Sequence, residues 1–266
     1  MEFTSSLTAP AVRISGLVKR FDEKAAVDGI DLEVQQGEWF AFLGPNGSGK
    51  STTIRMLTGM LEPTAGTIEV LGLNPVTSPL EVKRRIGFMP EEPLLYERLT
   101  PRETMRFVGP LHGLTVEETD RRAAEIFDLL ELATSDQDRF VIDFSMGMRK
   151  KVSLATALIH GPRILFLDEP FNGIDAVTTR AIKDALASAV SRGVTVFFSS
   201  HVLEQAERLC SHLAVIAKGR VRAQGTLADV RTAAGVEPTA SLEEAFVRLV
   251  GGDRPAASAF GLGFLG

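Results

Sequence analysis

The densest chemistry in the sequence lies at Gly44-Pro45-Asn46-Gly47-Ser48-Gly49-Lys50-Ser51, a glycine, four variable positions and then Gly-Lys-Ser. Glycines let consecutive backbone N–H groups turn inward as a nest for an anion, and a lysine beyond them can reach phosphate oxygens. The apolar run Trp39–Leu43 before the loop reads as a strand, and Ser51–Met60 after it as a helix. In that context the spacing predicts a nucleotide site; a glycine-rich turn ending in a solvated lysine is the bland alternative. Gly44 through Thr52 are the expected phosphate contacts, with Lys50 reaching the β and γ oxygens and the Ser51 hydroxyl holding Mg²⁺.

A second cluster, Ile164-Leu-Phe-Leu-Asp168-Glu169, is an apolar strand ending in two carboxylates. Open parallel sheets present their ligands at strand C-termini. Asp168 is placed to position Mg²⁺ through water, and Glu169 to polarise an attacking water. A charged strand end is common by itself; the phosphate loop is what gives this one its meaning.

The elements that must position these groups follow from the pattern. Closely spaced β-branched and aromatic runs (12–17, 30–34, 38–43, 67–71) predict an N-terminal antiparallel layer. After residue 160, apolar strands (164–167, 194–199, 213–217) alternate with helical stretches (176–192, 202–209), as in a mostly parallel sheet covered by helices. Between them, about 92–160, helical periodicity including 116–132 predicts an inserted helical subdomain. Lys218-Gly-Arg reads as a hairpin, 227–233 and 241–250 as helices, and 251–266 as a frayed Gly/Ala-rich tail. The predicted class is α/β with a nucleotide-binding core, and the folded unit spans 10–250.

The chain has 266 residues, 44% hydrophobic and 24% charged, which suits a folded globular protein and disfavours disordered, collagen-like and coiled-coil classes. Its formal net charge of -5 supplies no basic field for nucleic acid or anionic lipid, and no nucleic-acid partner is expected. Cys210 is the single cysteine, so no intrachain disulfide and no cysteine-based zinc site can form; it is expected to be a small buried helix residue. The start, Met1-Glu-Phe-Thr-Ser-Ser, lacks the apolar core of a secretory signal, and no apolar run approaches the roughly 20 residues of a membrane span, so a cytoplasmic location is expected.

Between the two clusters stands Phe144-Ser145-Met146-Gly147-Met148, followed by Arg149-Lys150-Lys151 and a helical run to His160. With it, about residues 12 to 220 resemble the nucleotide-binding subunit of an ATP-binding cassette (ABC) transporter, whose seven motifs can all be placed in order. The resemblance implies a P-loop NTPase core and a peripheral subunit on the cytoplasmic face of the cell membrane. It implies adenine stacking on Phe21, and a metal-side role for Glu91 where the family usually has Gln. Ser145 and Gly147 match the signature that binds ATP held by an opposing subunit, while Met146 and Met148 depart from the usual Gly and Gln. Ser145 as a helix N-cap beside a solvated basic turn is a compatible reading of the same residues. Asp175, in Asn172-Gly-Ile-Asp175, is expected across a dimer seam, and His201 is expected to hold the γ-phosphate and attacking water.

The resemblance further implies ATPase activity with Glu169, His201 and Lys50 as its catalytic residues, ATP and Mg²⁺, and a partner that is a second copy or a homologous subunit. A separate membrane-spanning subunit is required, with Leu94, Leu95 and Tyr96 as candidate contacts, and the motif details look most like single-cassette exporters. A soluble ABC-type ATPase acting on nucleic acid or ribosomes is the alternative, but no long coiled coil and no second phosphate loop is present. A P-loop GTPase or small-molecule kinase would leave the signature and His201 unexplained, and the guanine-specific Asn-Lys-x-Asp is missing.

Overall fold

The computed structural model describes residues 9–251. The N-terminal layer is a three-stranded antiparallel sheet in the order β2-β1-β4, made of β1 (Val12–Phe21), β2 (Lys24–Val34) and β4 (Ala65–Val70). The main sheet has six strands in the order β5-β6-β7-β3-β8-β9: β3 (Trp39–Leu43), β5 (Ile86–Met89), β6 (Ile164–Asp168), β7 (Thr195–Ser200), β8 (His212–Ala217) and β9 (Arg220–Gly225). The first five of these run parallel, and β9 returns antiparallel through the hairpin at Lys218-Gly219. The fold class read from the sequence is the one observed.

All five residues of β3 and of β6, and all six of β7, are buried. These strands therefore read as continuous apolar runs, because both faces are covered. On one face Phe40, Phe42, Phe166 and Phe197 pack with the antiparallel sheet and with α1 (Lys50–Leu57). On the other, Ala41, Leu43, Leu165, Leu167 and Phe198 pack with the helices.

The helical segment contains α3 (Pro101–Leu111), α4 (Val116–Leu129), a 3₁₀ turn (Val141–Asp143) and α5 (Met146–Leu158), preceded by the short helix α2 (Pro79–Lys83). Its helix starts are specified locally. Thr100 and Glu103 cap each other reciprocally ahead of Pro101, and Thr115 caps α4. Phe127, fully buried, anchors α4 to the same core as β6 and α5. After β6 come α6 (Ala176–Ser191), α7 (Leu203–Leu209), α8 (Leu227–Ala234) and α9 (Leu242–Gly251).

Several expectations shift. Residues 92–100 are not helical, the helix predicted over 116–132 stops at Leu129, and β5 was not anticipated. Cys210 is the C-cap of α7 in extended backbone and only half-buried, not inside the helix. The tail expected to fray at 251–266 lies, beyond its first residue, outside the described residues.

Candidate active site

Three adjacent strands deliver the chemistry. The C-terminal ends of β3, β7 and β6 stand side by side, with Leu43 opposite Ser200 and Asp168 opposite Ser199. The loop leaving β3 turns through Gly47 (φ 75°) and Gly49 (φ 112°), and α1 begins at Lys50. The first N–H groups of that helix have no intrahelical acceptor, so they and the helix dipole face the loop as an anion site. Lys50 is 6% exposed; its Nζ donates to the carbonyl of Gly44 at 2.8 Å and lies 3.3 Å from Glu169 Oε1.

Glu169 is gripped from several sides. Ser199 Oγ donates to Asp168 Oδ1 at 2.6 Å and accepts from the Glu169 N–H at 3.0 Å, tying both carboxylate residues to β7. Glu169 Oε2 accepts from His201 Nδ1 at 2.9 Å; because a carboxylate only accepts, Nδ1 carries the proton and Nε2 is left for a ligand. Glu169 itself stands at φ 47°, a left-handed conformation that costs a non-glycine residue about 1–3 kcal/mol and persists only where the surroundings impose it. Its Oε1 is buried and, although at ion-pair distance from Lys50, outside hydrogen-bond geometry. That unpartnered lone pair can accept a proton from a water in the cavity.

Phe21, Asn46, Lys50, Ser51, Glu91 and Glu169 all line one cavity of about 400 Å³. Phe21 is 49% exposed, so it is not a core residue, and its ring is free to stack on a planar base. Ser51, Glu91 and Asp168 line an adjoining space of about 550 Å³. Among the described residues no group of three or more His, Cys, Asp or Glu could hold a metal unaided. A hydroxyl and two carboxylates fit a hard divalent cation that takes its remaining ligands from phosphate and water, as Mg²⁺ does.

Ser145, Gly147 and Asp175 are not brought into this cavity. Ser145 is exposed and accepts from the Met148 N–H at the start of α5. Asp175 caps α6, accepting from the Thr178 N–H and hydroxyl, which hold its carboxyl below the usual range. A Cβ at Gly147 would sit 2.9 Å from Thr178 Oγ1, so the buried Gly147 packs the start of α5 closely on α6, with Ser145 and Asp175 exposed beside that contact.

The basic turn after the signature is not solvated. Lys150 and Lys151 are buried, 1% and 8% exposed, and burial pushes the Lys150 ammonium down while the carboxylates of Glu91, Glu169 and Asp168 pull it back up. Lys150 and Ser199 are the two site residues that sequence reasoning missed. Leu94 and Tyr96 are exposed, whereas Leu95 packs against the core. Among the described residues no helix is long and apolar enough to cross a membrane.

Residues 27–172 match the sequence family described as ABC transporter. The daunorubicin/doxorubicin resistance ATP-binding protein DrrA of Streptomyces peucetius is 38% identical over 85% of this chain and 68% of that protein. The bacitracin transport ATP-binding protein BcrA of Bacillus licheniformis is 36% identical over 79% of this chain and 68% of its own. A solved ATP-binding subunit of an ABC transporter superposes with a TM-score of 0.83 at 33% identity, covering 90% of this chain and 99% of that one.

Proposed function

The chain belongs to the ABC transporter ATP-binding family, and from that premise we propose that it hydrolyses ATP within a two-chain clamp that drives a separate membrane-spanning exporter subunit. The observation that carries the reading is the convergence of Lys50, Ser51, Glu169 and His201 on one edge of the sheet while Ser145 and Asp175 face outward. Two such chains arranged head to tail would each offer the outer surface of one to the cavity of the other.

In this mechanism Phe21 stacks on adenine, and the loop amides with Lys50 neutralise the phosphates. Mg²⁺, when held by Ser51, Asp168 and Glu91, supplies charge neutralisation at the phosphate oxygens. Glu169 Oε1 accepts a proton from the attacking water, and His201 Nε2 reaches toward the γ-phosphate. Catalysis is then mostly positioning, and closure links ATP binding to assembly of the complete site.

The membrane partner is proposed to dock beside Glu91, where a cavity of about 300 Å³ is lined by Met60, Phe88, Leu94, Leu95, Tyr96 and Phe107. Leu94 is 85% exposed there, the kind of apolar surface that a partner covers. In this reading the chain works as a peripheral subunit on the cytoplasmic face of the membrane. The relatives named for drug resistance and antibiotic transport support export as the direction.

Glu169→Gln tests the core of the reading. It is expected to bind Mg-ATP normally and to turn over at least about tenfold more slowly, with a closed dimer accumulating in size-exclusion chromatography with ATP. Unchanged turnover would remove Glu169 from the chemistry.

A further inference from the structure

Lys150 presents an energetic problem that the hydrolytic reading does not use. An ammonium taken out of water costs several kcal/mol unless it is compensated, and pairing with a carboxylate is the usual remedy. Lys150 is 1% exposed, and among the described residues no carboxylate comes within ion-pair distance of it. Its donors go to backbone carbonyls instead: Glu169 O at 2.8 Å and Asn172 O at 2.7 Å.

The placement of those two carbonyls is specific. They bracket Pro170-Phe171, the turn by which the chain leaves β6, and the Glu169 carbonyl also accepts from the Asn172 N–H at 3.2 Å. Glu169 is the residue in left-handed backbone. Its N–H is held by Ser199 and its carbonyl by Lys150, so its peptide groups are fixed on both sides. The side chain between them meets His201 and Lys50. Asn172 in turn donates through Nδ2 to Glu91 at 3.3 Å.

Resting on the assignment of Glu169 as the hydrolytic carboxylate, we infer that Lys150 is a positioning residue for hydrolysis: its amine locks the strained Glu169 backbone and so aims the carboxylate. Lys150 also belongs to α5, the helix capped by the exposed Ser145 and carrying the buried Gly147 in its first turn. The same side chain therefore ties the surface that meets the opposing nucleotide to the carboxylate that serves the chain's own. A shift of α5 on docking of that nucleotide is passed to Glu169 through the hydrogen bond to its carbonyl, with the second bond holding the far end of the same turn at Asn172.

The test uses the full chain and compares Lys150→Met, which keeps the length but has no donor, with Lys150→Arg, which restores donors. Steady-state turnover of Lys150→Met should fall about 10- to 100-fold, the scale of a reacting group displaced by about 1 Å, with KM for Mg-ATP within about twofold of the parent. Lys150→Arg should recover at least part of the loss. In a Glu169→Gln background, Lys150→Met should leave the residual turnover unchanged, because the group it aims is already gone. Parental turnover in Lys150→Met would overturn the inference, as would an equal fall in both backgrounds, which marks a merely structural role. Parental turnover in Glu169→Gln alone would refute the underlying assignment and not this step, so the two failures read differently. Should Lys150→Met not fold, Lys150→Leu, which also lacks a donor and is smaller, carries the same comparison.

Discussion

The two left-handed glycines of the phosphate loop make opposite demands on space, and substituting each by alanine separates conformational cost from steric cost. A Cβ at Gly47 (φ 75°) would meet nothing within 4 Å. One at Gly49 (φ 112°) would lie 2.6 Å from the Ala26 carbonyl on β2, a backbone atom that cannot swing away. For Gly47→Ala the left-handed penalty of about 1–2 kcal/mol is partly offset by the lower entropy of the unfolded chain, leaving about 0.5–1 kcal/mol of destabilisation. Gly49→Ala carries at least that penalty, since φ 112° lies further from the left-handed well open to L residues, plus overpacking of about 1–3 kcal/mol, so about 3 kcal/mol or more in all. Urea unfolding without nucleotide, followed by the fluorescence of Trp39, the single tryptophan, reads both directly, since Trp39 is buried on the strand that feeds the loop. The midpoint should fall several times further for Gly49→Ala than for Gly47→Ala, with the slope unchanged. Equal midpoint shifts would refute the steric argument that the Ala26 carbonyl of β2 leaves no room for a side chain at Gly49.

Two further outcomes follow from packing and burial. Phe127→Ala should destabilise the chain by about 3–5 kcal/mol, since Phe127 is wholly enclosed where α4 meets the main core; a loss below about 1 kcal/mol in a urea titration would contradict that enclosure. Burial, followed by the charge on His112, pushes the His160 imidazole down from 6.5 to about 4, against the opposing pull of the Ile86 carbonyl. The neutral ring is thus the folded form, and its stabilisation is complete above about pH 6.5 and fades as pH falls from there toward about 4. His160→Phe should flatten the decline in urea midpoint over that window, and a parallel decline in parent and variant would show that His160 does not govern it.

The parts of the site legible in the sequence are those in which residue type and backbone demand coincide. Gly47, Gly49 and Lys50 are specified by the loop they form, so spacing alone points to them, whereas Asp168 and Glu169 at the end of their strand stand out only because that loop accompanies them. The short strand β5, only four residues with a glycine inside, gives too little periodicity to be seen, although β6 pairs with all of it. Lys150 stayed hidden for a different reason. A basic run at a helix start looks solvated, and only the return of the chain from β6 supplies the carbonyls that draw this lysine inside. Ser199 was hidden likewise, since a serine closing an apolar strand reveals its role only once the neighbouring strand is beside it. Asp175 and Ser145 were found by motif, but their capping of α6 and α5 is the part that local chemistry explains.

The alternation of side chains across β3 has a mechanical meaning. Phe40 and Phe42 belong to the apolar body that also contains the antiparallel layer and α1, while Ala41 and Leu43, one residue away, belong to the body that holds α4, α5 and α6. The wall that carries Phe21 and the phosphate loop is thereby seated on one side of a two-sided partition, and the segment that carries Ser145 is seated on the other. In the proposed mechanism, a rocking of α5 against the sheet would therefore re-aim Glu169 through Lys150 without disturbing the core that underlies the antiparallel layer and α1.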